Sequence, residues 1–169
     1  MARCLIIGCG CRGRSLAREL VAAGHAVRGT TRDATRCAEI EAAGAESVVG
    51  DPDVVGTLAR SLEHVGVACV LLGSAVGSPE QLEALHGSRL DMLLTRMVDT
   101  TVRGIVYEAA GSIDAAILSA GAALVRARCE DARIPYVLLR ADPTDQAAWT
   151  VAAAAAVNST LDGHPDGPR

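Results

Sequence analysis

Two residue types are missing from this sequence altogether. All 16 residues counted as Lys or Arg are arginines, so the chain has no lysine. Mechanisms that need a lysine amine, such as a Schiff base, the Walker-A phosphate contact or a Tyr-x-x-x-Lys proton relay, are therefore excluded for this chain acting alone. Phenylalanine is absent as well. The core must consequently be built from Ala, Val, Leu and Ile.

Aromatic residues and positive charge are also scarce. The chain has two Tyr and one Trp, and its formal net charge is -4. Single-stranded nucleic acid is bound by stacking aromatic residues in basic grooves, so we expect no nucleic-acid partner. An anionic membrane surface is disfavoured by the same charge. No apolar run reaches the roughly 18 residues that a transmembrane helix needs, and we expect no membrane partner.

Six cysteines are scattered through the chain, at positions 4, 9, 11, 37, 69 and 129. The N-terminus has too short an apolar stretch for a secretory signal, and the chain is long enough to build a core without disulfides. We therefore expect reduced thiols and a cytoplasmic location. The spacing of Cys4, Cys9 and Cys11 differs from that of zinc ribbons, so we expect no metal.

Short runs of Val, Ile and Leu alternate with longer stretches of helical periodicity. This alternation predicts a single doubly wound parallel α/β sheet, Rossmann-like, with strand order 3-2-1-4-5-6 and helices on both faces. We expect one domain from residue 1 to 161 and a flexible tail from 162 to 169, which is rich in Pro and Gly. The predicted strands are 3–8, 26–31, 47–50, 68–73, 104–109 and 136–140.

Helices are predicted between these strands. The first follows Gly13 and ends at Gly24, because its apolar residues share one face and glycine favours the C-terminal turn. A long helical stretch near the middle is interrupted at Gly87. The remaining predicted helices cover 34–43, 53–62, 79–98, 112–133 and 146–161.

The sequence after the first strand matches the glycine pattern G-x-G-x-x-G. It runs from Gly8 through Gly10 to Gly13, and a helix follows it. The first glycine allows a tight turn, the second lets the backbone approach a pyrophosphate, and the third allows close packing of helix against strand. The helix N-terminus adds free N–H groups for the phosphates, and Cys11 lies in this loop. The pattern predicts a site for NADP or NAD.

The end of the second strand favours NADP over NAD. An acidic residue there would bind the ribose 2′-hydroxyl of NAD, but Thr31 and Arg32 suit a 2′-phosphate instead, through a hydroxyl and a planar charged group. We expect Arg12 to close on the same phosphate from the glycine loop. Asp33 is interpreted as a cap of the next helix, although its distance of 20 residues from Gly13 is also that expected of the acid in an NAD site.

The segment from Cys4 to Asp33 resembles the start of the atypical short-chain dehydrogenase/reductases, in the extended, epimerase-like branch. The likeness continues weakly to about residue 140. It implies that Asp51 lies near the adenine, and that Gly73 and Ser74 line the cofactor. It also implies the usual Ser, Tyr and Lys catalytic residues, but the matching positions, to within a residue or two, hold Ala109 or Ala110, Ala115 and Ser119.

Two functions from different classes remain open, and the first ranks ahead of the second because oxidoreductases are common among such folds. The first is an oxidoreductase of atypical mechanism acting on an unknown small molecule, with Tyr107 or water supplying the proton and Glu108 as a possible base. The second is a non-catalytic redox sensor or regulatory subunit that binds the dinucleotide. His86 is interpreted as a cation at a helix C-terminus. The apolar helices 80–98 and 112–133 predict a homodimer through a four-helix contact.

Overall fold

Six parallel strands form one sheet in the order β3-β2-β1-β4-β5-β6, which confirms the predicted topology. The computed structural model describes residues 1–163 of the chain. Every strand is short and contains β-branched or leucine residues, as expected of strands that are covered on both faces. The strands are β1 (Arg3–Ile7), β2 (Ala26–Thr31), β3 (Glu46–Val49), β4 (Val67–Val70), β5 (Gly104–Glu108) and β6 (Tyr136–Leu139).

Helices connect the strands on the two faces of the sheet. The helices are α1 (Cys11–Ala22), α2 (Cys37–Glu41), α3 (Pro79–His86), α4 (Ser88–Val98), α5 (Ala115–Ala132) and α6 (Gln146–Leu161). The predicted interruption falls at Gly87, between α3 and α4. Between residues 1 and 163, no helix is both long and apolar enough to cross a membrane. The expected flexible tail lies outside the described residues from position 164 onward.

The third crossover differs from the prediction. Residues 53–62 do not form an α-helix but two 3-10 turns, Val55–Leu58 and Arg60–Leu62. Gly56 lies inside the segment and disfavours a regular helix, whereas buried Val55 and Leu58 are three residues apart, which suits a 3-10 turn. Residues 34–43 similarly divide into a 3-10 turn and the short helix α2.

A buried arginine fastens this crossover to the sheet. Arg28 lies in the middle of β2 and is only 8% exposed. Its Nη1 donates a hydrogen bond to the Ser61 carbonyl at 2.8 Å, and its Nε donates to Glu46 Oε2 at 3.0 Å. Because the 3-10 turns leave carbonyl groups free, they can accept the bonds that a buried guanidinium requires.

The core lies on both faces of the sheet. Alternate residues of β1 point to opposite sides: Leu5 and Ile7 belong to one buried cluster, and Cys4 and Ile6 to the other. The first cluster packs under α3, α4 and α5, and the second under α1 and α6. All six cysteines are free, and four of them are buried.

His86 and Tyr107 form a buried polar pair inside the first cluster, so the interpretation of His86 as a helix-terminal cation is wrong. Tyr107 Oη lies 2.6 Å from His86 Nδ1, and His86 Nε2 lies 3.2 Å from the Leu72 carbonyl. A carbonyl can only accept, so Nε2 carries the proton and Nδ1 accepts from the tyrosine hydroxyl. Burial therefore keeps the imidazole neutral and lowers the pKa of His86.

This pair makes stability depend on pH. The pKa of His86 in the folded chain lies below the ordinary value of 6.5. At mildly acidic pH the unfolded chain therefore binds more protons at this residue than the folded chain does. The free energy of unfolding should therefore fall as the pH drops below 6.5. We expect urea unfolding midpoints to decrease more between pH 7.5 and 5.5 for the wild type than for His86→Gln, whose amide can still donate and accept. Equal decreases would contradict the assignment.

Candidate functional site

A cleft of ≈ 420 Å³ lies at the carboxyl ends of the strands, between the loops that follow β1, β2 and β4. This is the size range of small-molecule and cofactor sites. Eight of the ten residues predicted to bind a cofactor line it. They are Gly8, Gly10, Cys11, Arg12, Gly13, Thr31, Arg32 and Ser74. Residues as far apart in the chain as Gly8 and Ser74 thus meet in one cleft, because the sheet is parallel.

The first and third glycines of the loop have structural roles. Gly8 has a φ of +82°, and a Cβ on it would lie 2.6 Å from the Leu71 carbonyl oxygen. At Gly13 a Cβ would lie 3.2 Å from both the Gly8 carbonyl oxygen and the Ile6 side chain. Only glycine permits the turn at Gly8, and only a very small residue permits the approach of α1 to β1. Both agree with the roles that the pattern predicts.

Gly10 is different, because it faces open space. A Cβ there would meet no heavy atom within 4 Å, and its φ of -76° is available to any residue. It precedes α1, whose N-terminus has no side-chain cap among the described residues and no acidic residue in the first turn. The N–H groups and partial positive charge of this helix end therefore face the cleft. These features fit a pyrophosphate.

The end of β2 presents arginines to the cleft. Arg32 and Arg36 both line it, and Arg32 Nη1 lies 3.9 Å from Asp53 in an exposed pair. Asp33 turns away, since its Oδ1 accepts bonds from the Thr35 N–H at 2.9 Å and the Thr35 hydroxyl at 2.7 Å. The interpretation of Asp33 as a cap is confirmed. These bonds lower the pKa of Asp33, mainly through the Thr35 hydroxyl.

Arg12 does not reach toward β2, so the expectation that it closes on the same phosphate as Arg32 is wrong. Its Nη2 donates to Glu108 Oε1 at 2.8 Å and to Ser74 Oγ at 2.9 Å. Both partners follow β4 or end β5, on the opposite side of β1 from β2. The guanidinium also lies 5.4 Å from the ring centre of Trp149, a buried residue of α6. A charge-assisted hydrogen bond to a buried carboxylate is strong, so the Arg12 side chain binds Glu108 and does not extend to the solvent-exposed end of β2.

Gly73 and Asp51 are not part of the cleft lining. The Gly73 N–H donates to the other oxygen of Glu108, Oε2, at 2.8 Å. A Cβ on Gly73 would lie 2.6 Å from the Ala110 carbonyl oxygen, so the loops after β4 and β5 meet backbone against backbone. Asp51 Oδ1 accepts from the Asp53 N–H at 2.9 Å and stabilises the turn after β3. Both residues therefore stabilise loops that border the cleft without lining it.

The two candidate proton carriers are engaged elsewhere. Tyr107 is fully buried against His86 and does not line the cleft, and burial followed by the nearby charge of Glu108 raises its pKa. Glu108 does line the cleft but is 1% exposed, and each of its oxygens accepts a bond. Arg36, Asp53, Gln81 and Trp149 were not predicted as site residues. Arg36 could have been found from the cap at Asp33, which places position 36 on the turn beside Arg32.

Part of the chain matches a known domain. Residues 4–75, from β1 to the loop after β4, match the family model of the TrkA-N domain. This match contains the glycine loop and the end of β2. Among curated proteins, no match was found.

Solved structures resemble the fold at low sequence identity. A short-chain dehydrogenase/reductase superfamily protein from Agrobacterium tumefaciens with bound NAD is 21% identical with a TM-score of 0.67, over 82% of this chain and 48% of that one. Citrobacter sp. triphenylmethane reductase complexed with NADP(H) is 20% identical with a TM-score of 0.60, over 81% and 48%. UDP-glucose 4-epimerase from Thermotoga maritima is 13% identical with a TM-score of 0.68, over 82% and 54%.

The chain thus spans about half the length of these three structures. At such low identity the likeness establishes a Rossmann-like fold.

Gly10 offers a test of the cleft that leaves the fold intact. Gly10→Ala should unfold at the wild-type urea concentration, because the methyl group meets nothing, but it should weaken dinucleotide binding by about tenfold or more by occupying the space over α1. Isothermal titration calorimetry measures the affinity. Gly56→Ala is the matched control, since Gly56 also faces open space with an ordinary φ but lies outside the cleft lining. Equal affinities of the two variants would contradict the assignment.

Proposed function

We propose that this chain binds NADP(H), with the pyrophosphate over the N-terminus of α1. The observation that carries the proposal is the open space at Gly10 beside an uncapped helix end, within a glycine loop that otherwise packs tightly. The match to the TrkA-N domain and the nicotinamide cofactors bound in the Agrobacterium and Citrobacter structures support it. When bound, such a cofactor supplies hydride chemistry at its nicotinamide ring.

The arginines after β2 favour NADP over NAD. Thr31, Arg32 and Arg36 surround the place where a ribose 2′-group would lie, and Asp33 is occupied as a cap. Two guanidinium groups stabilise a phosphate through charge and paired hydrogen bonds. With the acid withdrawn, the 2′-hydroxyl of NAD loses the partner that usually selects it.

Arg32→Glu should separate the two cofactors. We expect the affinity for NADPH to fall by about 30-fold or more, because a favourable charge contact becomes a repulsion, and the affinity for NADH to change by less than about threefold. Calorimetric titrations of both cofactors measure the difference. Arg18→Glu, at an exposed position outside the cleft lining, controls for the change in net charge. Equal losses for NADPH and NADH would remove the 2′-phosphate assignment.

We place a non-catalytic role, as a redox sensor or regulatory subunit, ahead of catalysis. Hydride transfer to a small molecule is usually assisted by a side chain that gives or takes a proton beside the nicotinamide. Tyr107 is buried with His86, and Glu108 is bonded on both oxygens. An atypical oxidoreductase is the second candidate, and the reductases among the structural neighbours favour it. A cytoplasmic location stays a prediction.

The homodimer is also a proposal. Met92 and Val98 of α4 are exposed apolar residues, at 45% and 43%, and Ala120 and Ala123 are exposed on neighbouring α5. A second copy packed on these two helices would cover them. We expect light scattering at micromolar concentration to give a dimer, and Ala120→Arg to give a monomer that still binds NADPH. A wild-type monomer would contradict the proposal.

A further inference from the structure

The charged residues of the cleft fall into two groups. Arg32, Arg36 and Asp53 follow β2 and β3, whereas Glu108 ends β5 and binds the guanidinium of Arg12, which extends from α1 toward the ends of β4 and β5. In a doubly wound sheet, a dinucleotide lies across the carboxyl ends of the strands, with one ribose at the end of the second strand and the pyrophosphate at the glycine loop. The nicotinamide half then lies over β4 and β5. Arg12 and Glu108 are the charges beside it.

Arg12 is held in place from three directions. Its Nη2 donates to Glu108 and Ser74, at 2.8 and 2.9 Å, and its guanidinium lies 5.4 Å from the Trp149 ring centre. The indole stabilises the cation and limits its movement. A guanidinium held this way loses little freedom when a ligand arrives, so its charge acts on the ligand from a fixed position.

The two members of the ion pair are unequally exposed. The Arg12 side chain is 23% exposed, while that of Glu108 is 1% exposed and has both oxygens occupied. The positive end of the pair is therefore the end nearer the cleft. A ligand in the cleft therefore lies closer to the positive guanidinium than to the negative carboxylate, and the positive charge has the larger effect on it.

We propose that Arg12 determines which redox form of the cofactor this protein prefers, by favouring NADPH over NADP⁺. The oxidised nicotinamide ring carries a positive charge and the reduced ring is neutral, so a fixed cation beside the ring repels only the oxidised form. The inference rests on the proposed function and deepens it: a protein with this preference responds to the reduction state of its cofactor pool, as a sensor requires.

Glu108 sets the size of the preference. An unpaired guanidinium beside the ring would strongly disfavour the oxidised form, and the Glu108 carboxylate behind Arg12 cancels most of this repulsion. We therefore expect wild-type protein to bind NADPH about three- to tenfold more tightly than NADP⁺. The preference should therefore depend on the charges at positions 12 and 108 and not on the arginines that follow β2.

The test compares the ratio of two dissociation constants, for NADP⁺ and NADPH, in four proteins. Wild type and Arg12→Lys, which retains the charge, should both favour NADPH. Arg12→Gln should reverse the ratio so that NADP⁺ binds more tightly, because the substitution leaves the Glu108 carboxylate without its counter-charge. Arg32→Gln is the matched control: it removes a cleft arginine at the other end of the cofactor, so it should weaken both forms and leave the ratio unchanged.

The outcomes separate this inference from the proposed function. An unchanged ratio in Arg12→Gln, with both forms still bound, overturns the role of Arg12 while NADP(H) binding stands. If Arg12→Lys no longer prefers NADPH, the preference depends on the shape of the arginine and not on its charge, and this outcome would also overturn the inference. Failure of wild-type protein to bind either form overturns the proposed function itself. Midpoints of urea unfolding, measured for each variant, show that the compared proteins are folded.

Discussion

The close approach of α1 to the sheet is the constraint on which this structure depends. Gly8 turns the chain beneath the Leu71 carbonyl, and Gly13 brings α1 against Ile6, with no side chain in between. A Cβ at either position would separate the helix from the strand. Because the approach is made at the carboxyl end of β1, the uncapped end of α1 points into the cleft at the switch in strand order. The middle glycine is then left free for a ligand.

Most polar groups around the cleft serve the fold as well as the site. Glu108 joins three loops: it binds Arg12 after β1, the Gly73 N–H after β4, and it ends β5 itself. A buried carboxylate with two bonded oxygens positions its neighbours, and that role conflicts with carrying protons. Tyr107 and His86 satisfy each other inside the core in the same way. Within residues 1–163, Glu108 and Tyr107 thus belong to the hydrogen-bond networks that hold the fold beside the cleft.

A buried polar side chain also stabilises the loops at the other end of the cleft, where Arg28 binds the third crossover. The segment contains Gly56 and forms two 3-10 turns, and the Ser61 carbonyl in the second turn accepts a hydrogen bond from the Arg28 guanidinium. Removal of that side chain would leave the turns without their partner. The loops after β3 and β2 therefore keep Arg32 and Asp53 within 3.9 Å of each other.

The sequence alone predicted the six strands, the glycine loop and the arginine after β2, because these depend on local periodicity and on short-range spacing. The strand order followed from the doubly wound fold that this alternation of strands and helices is typical of. It also determined that Asp33 caps a turn, since the bond to Thr35 spans two residues. Tertiary structure decided the direction of Arg12, the burial of His86 and the two bonds of Glu108. The contact of Arg12 with Glu108 spans 96 residues, that of His86 with Tyr107 spans 21, and that of Gly73 with Glu108 spans 35. Local sequence periodicity does not indicate which of several distant groups a side chain will contact.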